Sequence, residues 1–335
     1  MSVPKAADLP PGVPTPPRLN TSPPEVPNAK VSFPIPHVLL VTLTRPDSLN
    51  AIPRPQHFAL GRLWDWFDDE PALRVAVITG TGRAFCAGAD LKEWDGLNSA
   101  GTSGPQKSVS GAPSQTSTTP DGSTSESEQR AGARDMPASR FPRGGFGGMS
   151  NRGGQKPILA AVNGLCLGGG MEMAINCDMV LASEDAVFGL PEVTIGVIAL
   201  AGALPRLVRS VGRQRAAEMA LGGKKYGAEE MRRWGLVNEV VPAGDAEGAA
   251  ADGLGRTRVL AKALEWAARI AGNSPDAVVV SREGLKLGWE GVGPEVGTNM
   301  LIHGWYGRME KGENMREGVK SFVERRKPVW VDSKL

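Results

Sequence analysis

Apolar positions along this chain follow two rhythms. Residues 37–45 (HVLLVTLTR) form a β-branched apolar run closed by Arg45-Pro46-Asp47, and residues 75–82 (VAVITGTG) and 158–164 (ILAAVNG) repeat the signature. Short continuous apolar runs bounded by turn residues predict strands buried on both faces. Between the first two, PQHFALGRLWDWF spaces its apolar residues at helical intervals, so a strand, turn and helix open the ordered part. MVLASEDAVFGLPE (179–192) is a further strand-like run ending in a Gly-Leu-Pro-Glu turn. Strands alternating with helices predict an α/β fold.

Two stretches carry neither rhythm. Residues 1–30 hold closely spaced prolines, which remove amide donors and favour extended, solvated backbone, and are expected to be a disordered tail. Residues 96–155 are mostly Gly, Ser, Thr, Pro and Gln, with too little apolar surface to offset the entropy of ordering them, and are expected to be a disordered insertion. Much of the excess of 43 Gly and 27 Pro lies in these stretches. What is left is a core of residues 31–95 and 156–270, a C-terminal region of 271–330 and a short tail of 331–335. That is enough chain to bury one good-sized core.

A formal net charge of +2, from 38 basic and 36 acidic residues, gives no electrostatic footprint for a nucleic-acid partner. Cys86, Cys166 and Cys177 are odd in number and lack C-x-x-C spacing, which suits reduced thiols in a core. His37, His57 and His303 lack ligand spacing, so no metal is expected. No apolar run reaches the roughly 18–20 residues of a spanning helix, and neither a membrane role nor a secretory leader is expected.

Chemistry concentrates at two glycine-containing turns that follow apolar strands. RAFCAGADLKE covers 83–93, and VNGLCLGGGMEMAINCD covers 162–178. Glycine lets main chain approach a ligand closely, and free amides at such a turn suit developing negative charge. Glu172 follows the second turn, and Glu192 follows the next strand pair. Two carboxylates bracketing one strand are able to hold a water between them, their repulsion lifting one pKa into a useful range.

Together RPDSLNAI, VAVITGTGRAFCAGADLKE, KPILAAVNGLCLGGGMEMAINCD, FGLPEVTIGV, LVNEVVP and EGVKSFVERRKP resemble, in order, the crotonase (enoyl-CoA hydratase/isomerase) superfamily. The resemblance implies a spiral of β-β-α units with a C-terminal helical region, assembled as homotrimers or homohexamers. Helices are then expected over 275–289 and 315–326, the latter placing Val319, Phe322 and Val323 on one apolar face. It also implies an acyl-CoA thioester substrate and no cofactor beyond it. The amides of Ala89 and Gly169 would form an oxyanion hole, with Glu172 and Glu192 handling water and proton as in hydratases. Ser48, Leu49, Asn50, Ala51, Ala87, Asp90, Leu91 and Lys92 match positions along the CoA groove, and Phe322 and Arg325 match its adenine and phosphate end. The family's glycine-rich run is replaced by Ala199-Leu200-Ala201-Gly202-Ala203, where Leu200 is expected to crowd the acyl site.

The chain ends in Ser333-Lys334-Leu335, a tripeptide read by the peroxisomal import receptor, on an end expected to be flexible after Pro328. The function expected is an enoyl-CoA hydratase of the peroxisome, in fatty-acid metabolism or in dehydration of a branched hydroxyacyl-CoA for a siderophore acyl group. An enoyl-CoA isomerase and a non-catalytic acyl-CoA-binding protein are the alternatives.

Overall fold

The computed structural model describes residues 18–91, 93, 141–245 and 257–335. Strands β1 (Ala29–Ser32) and β2 (Val38–Leu43) lead through helix α1 (Arg54–Asp69) to β3 (Val75–Gly80) and β4 (Ala84–Cys86). The next turn of the spiral is β5 (Ile158–Val162), β6 (Leu165–Leu167) and α2 (Gly169–Ile175), followed by β7 (Met179–Ser183) and β8 (Val187–Gly189). Then come α3 (Ala203–Val211), α4 (Arg213–Gly222), β9 (Lys225–Gly227), α5 (Ala228–Trp234) and β10 (Glu239–Val241). Helices α6 (Arg258–Ala271), α7 (Pro275–Trp289), α8 (Pro294–Leu301), α9 (Gly307–Glu310) and α10 (Glu313–Val323) complete it.

The pairs β3–β4, β5–β6 and β7–β8 each send their first strand to a large sheet and their second to a small one. The large sheet runs β1-β2-β3-β5-β7-β10, parallel except for β1, and the small sheet runs β4-β6-β8-β9. Pleating explains why β3 and β5 are buried throughout. Leu39, Val41, Ala76, Ile78, Ala160 and Val162 face the core between the sheets and α1, whereas Val38, Leu40, Val75, Val77, Leu159 and Ala161 face α6. Helix α6 meets them with Val259, Leu260, Ala263, Leu264 and Ala267, and Thr257 caps its start by accepting from the Leu260 amide at 3.3 Å.

Three segments expected to be loose are held down. Residues 18–28 lie on the end of α1, where Asn20 N donates to Glu70 Oε2 at 2.8 Å and Trp66 Nε1 to Thr21 Oγ1 at 2.8 Å. Residues 141–155, counted with the disordered insertion, pack against α1, and Phe146, Met149 and Ser150 are buried there. Composition hid this because a few aromatic and apolar residues anchor a run that is otherwise glycine. Residues 96–140 of that stretch lie outside the described residues. The end after Pro328 is also docked, with Trp330 Nε1 donating to Gly272 O at 2.8 Å, Val331 N to Asn314 Oδ1 at 3.0 Å and Ser333 Oγ to Asp276 Oδ1 at 2.6 Å. Buried Asn314 and Asp276 supply polar partners that Pro328 and its neighbours do not announce.

Candidate active site

The turns after β4 and β6 meet. Gly88 has φ 105° and Gly168 φ 55°, conformations that favour glycine, and a methyl group added at Gly88 would lie only 3.2 Å from the Gly169 nitrogen. Ile52 N donates to Gly88 O at 2.9 Å and Asp90 N to Ile52 O at 3.3 Å, which fixes Ala89 between them. Among the described residues, neither the Ala89 nor the Gly169 amide donates to a backbone carbonyl. Two free amides thus share one small space.

The groove residues named from the sequence have mixed fates. Ala87 N donates to Leu49 O at 3.0 Å, so the 48–51 turn is stitched to the first glycine turn. Leu49 and Asn50 are both left-handed, at φ 51° and 55°. Asn50 is buried, and its amide donates to Ala84 O at 2.7 Å and Thr81 O at 2.9 Å, so it holds the turn rather than facing a groove. Asp90 pairs with Arg45 at 3.0 Å, and Arg45 also donates to Ala51 O at 2.8 Å. Ser48 and Leu91 are exposed and Ala51 half-buried, while Lys92 lies outside the described residues. Leu200, expected to crowd the acyl site, is 69% exposed: its neighbours Ala199 and Ala201 turn inward, and that turns Leu200 out.

Glu172 and Glu192 come from different elements to the same place. Glu172, in the first turn of α2, is 4% exposed, and its Oε2 accepts from the Ala203 amide at 3.1 Å. Burial pushes its carboxyl up to about 7, the nearby Glu192 adding to the rise, against relief from the amides of Ala203 and Ala201 and the charge of Arg206. Glu192 opens a short 3₁₀ turn (Glu192–Ile195) whose backbone holds one oxygen near Gly168, where an added methyl would sit 3.3 Å from Oε1. Its Oε2 is buried without a partner among the described residues, and burial raises this carboxyl too. Two carboxylates with raised affinity for protons therefore flank the turn that carries the free Gly169 amide.

A buttress behind these groups escaped the sequence reading. The Phe146 ring lies against Gly169, where an added methyl would come within 2.4 Å of it. Buried His57 on α1 accepts from the Gly147 amide at 2.9 Å, stacks edge-on to Phe146 at 4.4 Å, and is kept neutral by burial, its pKa down at about 4. Trp64 Nε1 donates to Gly147 O at 2.9 Å. Asn176 joins α2 to the same segment, donating to Met149 O at 2.6 Å and accepting from Arg206 Nε at 2.7 Å. The one available signal was the aromatic pair Phe141 and Phe146 inside the low-complexity run.

Phe322 and Arg325 stand apart. Helix α10 packs on α7 and α9, Phe322 is 85% exposed, and Arg325 is exposed with φ 54°. The described chain by itself leaves Phe322 open to solvent rather than closing it over the glycine turns.

Comparison with known proteins agrees with the fold. The sequence profile of the Enoyl-CoA hydratase/isomerase family matches residues 36–117 and 150–333. Mevalonyl-coenzyme A hydratases of Beauveria bassiana and Aspergillus fumigatus are 54% and 47% identical over 313 and 312 residues, each match covering 93% of this chain and 98% of the relative. The crystal structure of enoyl-CoA hydratase from Bacillus anthracis superimposes with a TM-score of 0.68 at 29% identity, covering 90% of this chain and 98% of that one. With a matched profile over most of its length, a shared fold and relatives of this similarity, the chain belongs to the enoyl-CoA hydratase/isomerase (crotonase) superfamily and is an enzyme of its hydratase/isomerase type, acting on an acyl-CoA thioester.

Proposed function

We propose that this enzyme interconverts a branched 3-hydroxyacyl-CoA and its 2-enoyl-CoA, with mevalonyl-CoA the hydroxyacyl substrate. Support for the substrate comes from the two mevalonyl-coenzyme A hydratases that resemble it over nearly their whole length. The observation that carries the reaction type is the pair Glu172 and Glu192 beside the Gly168–Gly169 turn, with Glu192 Oε2 buried and unpartnered.

In the dehydrating direction, the thioester oxygen accepts from the Ala89 and Gly169 amides, which stabilise the enolate as the α-carbon loses its proton. One glutamate takes that proton. The other, in its acid form, delivers a proton to the C3 hydroxyl as the C3–O bond breaks, so that water leaves and the C2–C3 double bond forms. Hydration is the reverse, with water held between the two carboxyls. The raised pKa of both groups favours a pair sharing one proton near neutral pH. CoA is part of the substrate, and the steps draw on no other cofactor. The CoA chain would run along Ser48, Leu49, Ala51, Ala87 and Asp90–Lys92, its adenine end meeting Phe322 and Arg325 of an adjacent copy in a trimer or hexamer. Ser333-Lys334-Leu335 would address the enzyme to the peroxisome, after release from its docked position.

Purified enzyme given mevalonyl-CoA and straight-chain 2- and 3-enoyl-CoA esters tests this reading. Turnover is expected with the branched ester, falling about 10²–10⁴-fold in Glu172→Gln and in Glu192→Gln. Normal turnover in either variant would overturn the two-carboxylate mechanism. Double-bond migration in a 3-enoyl ester without hydration would make the enzyme an isomerase.

A further inference from the structure

Glu172 depends on a clamp built outside its own helix. Its carboxylate is held by the Ala203 amide at 3.1 Å, and the Ala201 amide nearby also favours its charged form. These belong to the run Ala199–Ala203 that replaces the family's glycines, whose one large side chain, Leu200, points to solvent and does little to fix it. Something must hold its peptide planes.

Two side chains supply that hold: Arg206 donates to Gly202 O at 3.1 Å, on the peptide that carries the Ala203 amide, and Ser150 holds the peptide before it. Ser150 is fully buried, its Oγ donating to Ala201 O at 2.7 Å and accepting from the Phe146 amide at 2.7 Å. Both hydrogen bonds are buried, and together they use the hydroxyl's donor and one acceptor position. The fit is tight on every side: a methyl at Gly145 would lie 2.4 Å from Ser150 Oγ and 2.9 Å from Ala201 O, and one at Gly202 would lie 3.0 Å from Ser150 O. Gly202 itself has φ 122°, a conformation that favours glycine, and links Ala201 to the start of α3 at Ala203. On its other side, the segment carrying Ser150 is fixed by His57 and Trp64 through Gly147.

We infer that Ser150 is a positioning residue for Glu172: its hydrogen bond to Ala201 O fixes the Ala201–Gly202 peptide, directly before the peptide whose Ala203 amide meets Glu172, and couples that run to the Phe146 ring behind Gly169. This rests on Glu172 working in the proposed reaction, but the clamp itself does not. Arg152, Asn151 and Asn176 hold neighbouring backbone and Arg206, yet none touches the Ala201–Ala203 peptides except Arg206, through Gly202 O at 3.1 Å. The charged and titratable groups facing Glu172 are Glu192 from its 3₁₀ turn and Arg206 from α3. Cys86 of β4, packed at Gly170, stays a neutral thiol because burial raises it to about 12, and His57 behind Phe146 is neutral.

The test uses the full chain and reads Glu172 directly. Unfolding free energy is measured against pH for the native protein and for Ser150→Ala, each also carrying Glu172→Gln, so that the difference isolates the Glu172 titration. Losing an oriented amide donor disfavours the carboxylate. The Glu172 midpoint is therefore expected to move up by about half a unit or more in Ser150→Ala. The matching limb of the kcat profile should move with it while KM stays put. Ser150→Cys, a weaker donor in the same place, should shift the midpoint the same way and serves where the alanine variant does not fold. A midpoint unmoved in the folded variant overturns the inference, whatever happens to stability. Absence of turnover with every CoA ester, alongside a shifted midpoint, would instead sink the proposed reaction and leave the clamp standing.

Discussion

The central strands of the spiral and the C-terminal helices use apolar residues to opposite ends. Every residue of β3 and β5 is buried, and each apolar side chain there has found its cover within the chain. In the helical region, Leu285, Val296, Val319, Phe322 and Val323 are mostly exposed, on α7, α8 and α10. Scattered exposed apolar residues are ordinary, but a file of them on one short helix is not. The contrast separates what one chain assembles from what it leaves open. The glycine turns, Glu172 and the Ser150 clamp lie on the covered side of this contrast, with Glu192 partly buried at its edge beside the exposed Ile195, Ile198 and Leu200, whereas Phe322 is left without cover. Changes in the first region should strike chemistry and leave assembly alone, and changes in the second should do the reverse.

The hardest strike is expected at Gly169. An alanine there would place its methyl against the Phe146 ring, with about 1–3 kcal/mol of overpacking and a displaced amide. Removing one oxyanion donor typically costs about 10²–10³-fold in kcat, and Gly169→Ala should fall in that range without changing the particle's size. Gly227→Ala, where an added methyl meets nothing within 4 Å, is the control and should behave as the parent protein. Parallel kcat values and sedimentation runs on both variants decide it.

Next in size is a stability effect of the opposite sign. Glu172 titrates near 7 in the folded protein against an ordinary 4.5, so the native state keeps its proton through a range where the unfolded chain has lost it. Stability from this group is full below about pH 4.5 and is lost as pH rises through 7, a change of about 3 kcal/mol by pH 8. Glutamine carries no such charge and retains an oxygen for the Ala203 amide. Glu172→Gln should therefore gain on the native protein by about 2–3 kcal/mol between pH 4 and pH 8 while losing its activity. Denaturant unfolding at the two pH values measures the gap. A gap that stays constant would mean that Glu172 is ionised normally.

This difference also explains what the sequence could tell. The fully apolar strands around Val75 and Ile158 were legible because a buried parallel sheet leaves no polar face to confuse the pattern. The meeting of Gly88 with Gly169, and the two carboxylates beside them, came through the family resemblance and the free amides it implied. The buttress was hidden because its signal is non-local. Ser150 acts across 51 residues on Ala201, and Trp64 across 83 on Gly147, and neither residue type announces a long-range partner. Asn50 was misread for a related reason: a buried, left-handed asparagine whose side chain makes three hydrogen bonds looks, in sequence, like any polar residue beside a groove.

The smallest effect on the folded chain should come from the exposed helix, and there the comparison is sharpest. Val319, Phe322 and Val323 are 61%, 85% and 74% exposed, so replacing them with serine removes almost no contact within the chain. Surface changes of this kind fall within about 0.5 kcal/mol. If a second copy covers this face in the proposed trimer or hexamer, Phe322→Ser with Val323→Ser should leave the chain's unfolding midpoint nearly fixed at low concentration. The same variant should break the assembly into smaller particles on sedimentation. Because Phe322 would then no longer reach a neighbour's groove, KM for the CoA ester should rise several-fold with kcat changed little, a loss of binding shared by ground and transition states. An assembly of unchanged size with an unchanged KM would mean that this face stays open, and the divide between a covered core and an uncovered helical region would lose its functional meaning.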